Sequence, residues 1–140
     1  MKTTTHLIAA ALLSLGFAAC ASTNPDLKEQ TMDTPSSRLL TVPRGAGDGG
    51  KKDVTVLLDE RHLKLATIAL RDGTSLPPHR APVPVTIHVL EGDGVIHAGG
   101  QPLAVTGGSL VSLAANEDHD VIPKAASDML LLVHYLRGAQ

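Results

Sequence analysis

The chain has 140 residues, enough for one domain, and its formal net charge is −2. This nearly balanced charge provides no basic surface for nucleic acid, and Tyr135 is the only aromatic residue after Phe17, so base stacking is excluded as well. We therefore expect no nucleic-acid partner. Beyond the N-terminus, no hydrophobic stretch is long enough to span a membrane.

Residues 1–19 have the pattern of a secretory signal peptide. The positive pair Met1-Lys2 is followed by an apolar run over residues 7–15, and small residues end the segment at Ala18 and Ala19. The apolar run is too short for a transmembrane helix. A buried helix is the alternative, but the position at the N-terminus and the small-residue end favour export.

Cys20 is the only cysteine, so an internal disulfide is excluded. The segment LGFAAC, residues 15–20, resembles a bacterial lipobox, although Phe17 stands where an aliphatic residue is usual. The resemblance implies a lipid anchor at Cys20, and Ala21 after it implies sorting to the outer membrane, with the domain facing the periplasm. Ordinary signal cleavage, which gives a soluble periplasmic or secreted protein, is the alternative.

Residues 20–52 are predicted to form a flexible tether, since polar residues, proline and glycine dominate and no apolar period is visible. Within the tether, GAGDGGKK nearly matches a phosphate-binding loop. Such a loop needs a strand before it and a helix after it. Here a strand-like VTVLLD follows, and Lys52 supplies no hydroxyl for magnesium. We interpret the segment as a glycine linker.

From Asp53 onward the pattern changes to short strands, and we predict an all-β domain over residues 53–140. Strands of four to eight residues with closely spaced turn signals are typical of a sandwich or barrel. The predicted strands cover residues 54–58, 63–70, 83–89, 95–98, 103–105, 109–114 and 129–136. Because the domain is small and poor in aromatic residues, a homodimer is expected to add buried apolar area.

Two segments have the spacing of a known pair of motifs. In the first, Gly73 is followed after five residues by His79, and Ala81, Val85 and Gly92 complete the spacing. This resembles the first motif of the cupin family, which reads glycine, five residues, His-x-His, three or four residues, glutamate, six residues, glycine. Ala81 stands at the position of the second histidine and Val85 at that of the glutamate.

The second segment runs from Gly108 to His119 and resembles the second cupin motif, with Ala114 and Asn116 at its proline and glycine positions. The resemblance spans roughly residues 53–137 and implies a cupin-like double-stranded β-helix barrel of the jelly-roll type. The acidic residues that flank His119 are interpreted as part of a solvated loop.

In metal-binding cupins, both motifs supply ligands to one divalent metal. The resemblance therefore places His79 and His119 at ligand positions, but Ala81 and Val85 cannot donate to a metal. Facial-triad iron sites need a carboxylate beside two histidines, and catalytic zinc needs three protein ligands. We predict no cofactor. The alternative is iron, manganese, nickel or zinc held by the incomplete pair His79 and His119.

We expect the four positions His79, Ala81, Val85 and His119 to line a pocket for a small molecule whose identity the sequence does not give. No catalytic residue is predicted. The alternatives are a metal-dependent cupin enzyme of the dioxygenase or isomerase type using His79 and His119, a metal-free acid–base enzyme using the same pair, and an envelope protein that uses the outside of its barrel. His88 should point away from the pocket, because it lies an odd number of residues after Val85 on one strand.

Overall fold

Nine β-strands and no helix form the part of the chain that the structure, a computed structural model, describes: residues 37–138. The strands are β1 (Lys52–Asp59), β2 (Leu63–Leu70), β3 (Leu76–His79), β4 (Val85–Glu91), β5 (Gly94–Ala98), β6 (Gln101–Val105), β7 (Leu110–Leu113), β8 (His119–Pro123) and β9 (Met129–Leu136). They form two antiparallel sheets, in the orders β1-β2-β9-β4-β7 and β3-β8-β5-β6. The predicted all-β fold is confirmed.

The predicted signal peptide and the lipobox-like segment lie outside the described residues. Among the residues that are described, no helix is long and apolar enough to cross a membrane.

The core lies between the two sheets, and the alternation within β4 shows how it is built. Val85, Ile87 and Val89 are at most 2 % exposed, whereas Thr86 and His88 are half-buried on the opposite face. Successive side chains of a strand point to opposite faces, so every second residue of β4 enters the core. Aliphatic side chains from the other strands fill the rest of it, among them Leu70, Ile96, Leu113, Val121 and Leu131.

Two strands have the bounds that the sequence predicts, and two were not predicted. Strands β2 and β9 match residues 63–70 and 129–136. Strand β3 was missed because Pro77 and Pro78 donate no backbone hydrogen bond, and proline is tolerated only at a sheet edge, which is where β3 lies. Strand β8 was missed because acidic residues surround His119. The loop interpretation is wrong for Asp120, which lies within β8.

Residues 45–50 pack on the outer face of the five-stranded sheet, although their composition places them in the predicted tether. Ala46 is buried in a small apolar cluster with Ala69 and Leu130. The glycines around it turn their carbonyl oxygens toward a cation, the guanidinium of Arg71, and strand β1 follows instead of a helix. A phosphate-binding loop needs backbone N–H groups that point at its anion, so this loop has the opposite polarity.

Arg71 fixes this segment to the sheet. Its side chain is 9 % exposed, and its guanidinium donates to the carbonyl oxygens of Gly47 at 2.7 Å and Ala46 at 2.5 Å, and also to that of Gly50. The same group donates to the Asp53 carboxylate at 2.5 Å. One buried cation therefore satisfies several backbone acceptors and one carboxylate, and charge-assisted hydrogen bonds of this kind are stronger than neutral ones.

Replacing Arg71 by methionine should destabilise the fold, because the backbone carbonyl oxygens of this segment and the carboxylate of Asp53 lose their donor. We expect the free energy of unfolding to fall by about 2 to 4 kcal/mol, the usual range for breaking a buried charged network. Urea unfolding followed by far-ultraviolet circular dichroism measures this change. The control is Arg44→Met at an exposed position, which should change the value by less than about 0.5 kcal/mol. Equal effects of the two substitutions would contradict this account of Arg71.

Candidate functional site

Two histidines face each other across the edge of the four-stranded sheet. His79 ends β3 and His119 begins β8, and the two are directly paired in the antiparallel register. Paired residues of neighbouring strands point to the same face, so both side chains enter the space between the sheets. Their ring centroids lie 4.2 Å apart, with 55° between the ring planes. His119 is 5 % exposed, whereas His79 is more open to solvent.

Each imidazole is fixed by a hydrogen bond to a backbone carbonyl oxygen two residues before it in the chain. The Nδ1 atom of His79 lies 2.9 Å from the carbonyl oxygen of Pro77, and that of His119 lies 2.9 Å from the carbonyl oxygen of Glu117. A carbonyl oxygen can only accept, so Nδ1 carries the proton in both rings and Nε2 keeps its lone pair in the neutral form. No hydrogen bond among the described residues uses either Nε2, and both rings line the same pocket.

The pocket between the sheets has a volume of about 190 Å³ and is mainly apolar. Aliphatic side chains from both sheets form its walls, among them Ile68, Leu76, Ile87, Leu131 and Val133. The polar side chains of the lining are His79, Arg80, His119 and Tyr135. An apolar concavity with a few convergent polar groups is the usual form of a small-molecule site.

All four residues that the sequence assigns to the pocket line it. His79 and His119 contribute their rings from the four-stranded sheet, and Val85 contributes its side chain from β4. Ala81 lies in the loop between β3 and β4, where it is 8 % exposed and its carbonyl oxygen accepts from the Asn116 N–H at 2.7 Å. The two cupin-like motifs thus meet at one place.

Tyr135 and Arg80 are polar residues of the pocket that the sequence did not predict, and Tyr135 lies deeper. Strand β9 pairs it with Val85 on one side and with Lys64 on the other, so it faces inward beside the position of the family's glutamate. Burial raises the pKa of Tyr135, which keeps its hydroxyl neutral. The Lys64 ammonium lies 5.5 Å from the centroid of the ring. The sequence could have indicated this, because Tyr135 is an even number of residues from Leu131 on β9 and therefore lies on the same face of the strand.

The donor set of this pocket does not fit the metal that cupin-like motifs imply. A methyl group and an isopropyl group stand where a histidine and a carboxylate are needed, at Ala81 and Val85. The neutral phenol of Tyr135 is a poor substitute, because burial disfavours the phenolate. Across residues 37–138, no group of three or more histidine, cysteine, aspartate or glutamate side chains is arranged to hold a metal ion.

The remaining histidines of the two sheets lie away from the pocket. His88 is on the outer face of β4, as its phase predicts. On the same face, the Oγ1 atom of Thr86 lies 2.7 Å from Nδ1 of His134. On the four-stranded sheet, Nδ1 of His97 lies 2.7 Å from the carboxylate of Asp120. These groups belong to the outside of the domain and do not extend the site.

Similarity to solved structures identifies the fold. A double-stranded β-helix protein of Klebsiella pneumoniae is 16% identical, with a TM-score of 0.63 over 73% of this chain and 91% of that chain. An RmlC-like cupin of Methanocaldococcus jannaschii is 18% identical, with a TM-score of 0.61 over 74% of this chain and 93% of that one. This chain has the cupin fold.

A third solved structure, the RmlC-like cupin of Shewanella frigidimarina, is 17% identical, with a TM-score of 0.59 over 66% of this chain and 81% of its own length. No protein-family model matches the chain, and no curated protein matches it. The likeness to the cupins therefore rests on the fold together with the spacing of the two motifs.

At two of the cupin-like motif positions, the backbone conformation restricts which residue can stand there. Gly92 has φ of 92°, and a Cβ there would lie 2.3 Å from the carbonyl oxygen of Asp128. Asn116, at the glycine position of the second motif, has φ of 62°, a conformation that asparagine tolerates better than most residues. Ala81 and Val85, at the positions that hold a metal in metal-binding cupins, are not among the residues with positive φ, and both are apolar.

The loss of stability at low pH should depend on His134. Burial, and secondarily the positive charge of His88, lower the pKa of His134 below its ordinary value of 6.5. The unfolded chain then binds more protons than the folded one below pH 6.5, so stability is present above that pH and is lost as the pH falls. Urea unfolding from about pH 7.5 to about pH 5 should show a smaller loss in His134→Gln than in the unmodified protein. The exposed-site control His62→Gln should keep the full loss, and an unchanged loss in His134→Gln would contradict this assignment.

Proposed function

We propose that this chain is a metal-free binding protein that holds a small, largely apolar molecule in its cupin barrel. One observation carries the proposal: the site contains two oriented imidazoles, while the other two motif positions hold the apolar residues Ala81 and Val85. The hydrogen bonds from Nδ1 leave one free acceptor, Nε2, on each ring, and both rings line a pocket with aliphatic walls. Such a site offers burial for an apolar body and hydrogen bonding for one polar group.

The size of the pocket limits the ligand. Sites for drug-sized molecules usually enclose roughly 300 to 1,000 Å³, and this pocket has about 190 Å³. The ligand that fits is therefore a molecule of a few carbon atoms with one polar end. A nucleotide or a long lipid chain is too large to be enclosed.

Ligand screening by nuclear magnetic resonance tests the binding function. A library of small apolar molecules, each with one polar group, should shift the methyl signals of Val85, Ile87 and Leu131, which face the pocket, and leave that of Leu110 on the outer face unchanged. In the double variant His79→Ala/His119→Ala, the affinity should fall by about tenfold or more, because the polar end of the ligand loses its partners. His62→Ala is the matched control. If the double variant binds with undiminished affinity, the two histidines do not contact the ligand.

The competing function is a metal-dependent cupin enzyme that uses His79 and His119, and restoring the family's ligand set separates the two. The unmodified protein should carry no stoichiometric iron, manganese, nickel or zinc after loading. The double variant Ala81→His/Val85→Glu regains the missing imidazole and carboxylate, so it should bind near-stoichiometric metal. The control Ala81→His/Val85→Gln has the same size without the charge and should bind less. Elemental analysis measures all three proteins, and stoichiometric metal in the unmodified protein that depends on His79 and His119 would favour the enzyme.

We also propose that the protein is exported and lipid-anchored at Cys20 in the outer membrane, with its domain facing the periplasm. The signal-like pattern of residues 1–19 and the presence of a single cysteine support this. The intact mass of the mature protein distinguishes the proposal from simple cleavage, because lipidation adds acyl chains to a chain that begins at Cys20.

A further inference from the structure

We propose that the ligand of the pocket is a short aliphatic primary carboxamide, whose NH2 group donates to Nε2 of His79 and to Nε2 of His119. This inference rests on the proposed binding function and names the class of its ligand. Three features of the pocket support it: the hydrogen-bonding state of the two rings, the balance of charge at the rim and the aliphatic walls.

The two imidazoles present hydrogen-bond acceptors to the pocket. Each Nδ1 atom donates to a backbone carbonyl oxygen at 2.9 Å, so the neutral ring has its lone pair at Nε2. The centroids of the two rings lie 4.2 Å apart, and a hydrogen bond spans about 3 Å, so one atom of a ligand can reach both rings. The polar end of the ligand must therefore supply hydrogens, and an atom that carries two of them satisfies both acceptors.

The charged side chains of the lining are balanced at its rim. The guanidinium of Arg80 donates twice to the Asp118 carboxylate, each time at 2.9 Å, and these two side chains are 61% and 68% exposed. The ammonium of Lys64 lies 5.5 Å from the ring centroid of Tyr135 and is not part of the lining. Burying an ion without a partner of opposite charge is costly. A carboxylate would meet two acceptors here and an ammonium would meet no free carboxylate, so the ligand is uncharged.

A primary carboxamide matches the neutral polar groups of the site. Its NH2 group has one hydrogen for each Nε2 atom, and its carbonyl oxygen accepts from the hydroxyl of Tyr135, which also lines the pocket. Burial raises the pKa of Tyr135, so the phenol keeps the proton that it donates. An alcohol has a single hydrogen and leaves one imidazole without a partner once water is displaced, which is unfavourable.

The walls of the pocket fit the rest of the molecule. Ile68, Leu131 and Val133 offer aliphatic contacts, and the volume of about 190 Å³ accommodates a chain of a few carbon atoms. A second polar group on that chain would be buried without a hydrogen-bond partner. The ligand therefore combines one carboxamide with a short, unsubstituted aliphatic chain.

Nuclear magnetic resonance titration of the full chain in detergent micelles tests the inference with three probes of one shape. They are isovaleramide, isovalerate and isobutyl methyl ketone, in which an NH2 group, a charged oxygen and a methyl group occupy the same position on one acyl chain. At about pH 8, above the range in which histidine ordinarily gains a proton, isovaleramide should bind at least about tenfold more tightly than either. Because the ketone leaves water more readily than the amide, tighter binding of the amide reports its N–H bonds.

The readout is the set of methyl signals that face the pocket. Those of Val85, Ile87 and Leu131 should shift with the amide, and that of the exposed Leu110 should stay unchanged. A shift of Leu110 together with the others would indicate an effect of the probe on the whole protein, which contradicts binding in the pocket.

Variants separate the two contacts of the carboxamide. His79→Leu removes one acceptor at an exposed position, so the preference for the amide over the ketone should fall by about threefold or more, while the affinity for the ketone is kept. Tyr135→Phe removes the donor to the carbonyl oxygen that both probes share, so both affinities should fall and the preference should remain. The control His62→Leu should change neither. A loss of structure lowers all affinities together, so a change of the preference alone assigns the imidazole.

The outcomes separate this inference from the binding function on which it rests. If isovaleramide binds no more tightly than the ketone, or less tightly than isovalerate, the carboxamide assignment is overturned while a metal-free binding pocket stands. An unchanged preference in His79→Leu overturns it as well. If all three probes fail and another library molecule shifts the pocket methyl signals, the ligand class alone is wrong. Failure of every molecule overturns both proposals.

Discussion

The register of β9 between β2 and β4 is the constraint on which the site depends. It pairs Tyr135 with Lys64 on one side and with Val85 on the other, and it directs Leu131 and Val133 into the core. Because the side-chain period of a strand is two, a slip by one residue would bring His134 inward and turn Tyr135 to the outside. The buried face of β9 prevents that slip, so the same aliphatic residues that stabilise the fold also place the only phenol of the domain.

The pocket combines a retained framework with an altered set of side chains. Gly92 and Asn116 hold backbone conformations that most residues disfavour, and hydrogen bonds to nearby backbone carbonyl oxygens fix the rings of His79 and His119. None of these interactions requires a metal. The cupin fold can therefore carry apolar residues at two motif positions and still form a cavity lined by two oriented imidazoles.

Short-range patterns in the sequence were enough for much of the fold and for part of the site. The bounds of β2 and β9 follow from their apolar runs, and motif spacing alone selects His79 and His119. What was missed depends on contacts that are distant in sequence. Tyr135 enters the site through its pairing with Val85, fifty positions earlier in the chain, and Arg71 acts through carbonyl oxygens of a segment that looks like a linker. No local pattern encodes such a pairing.

The prolines of β3 affect the tendency of the protein to aggregate at high concentration. Strand β3 is the last strand of its sheet, and it pairs only with β8. Pro77 and Pro78 are exposed and have no N–H group, so a strand from another molecule finds no backbone donors along this half of β3. Edges without donors resist the strand-to-strand pairing that begins aggregation. The two prolines that made β3 hard to predict thus reduce strand pairing with another molecule at the sheet edge next to His79 and His119.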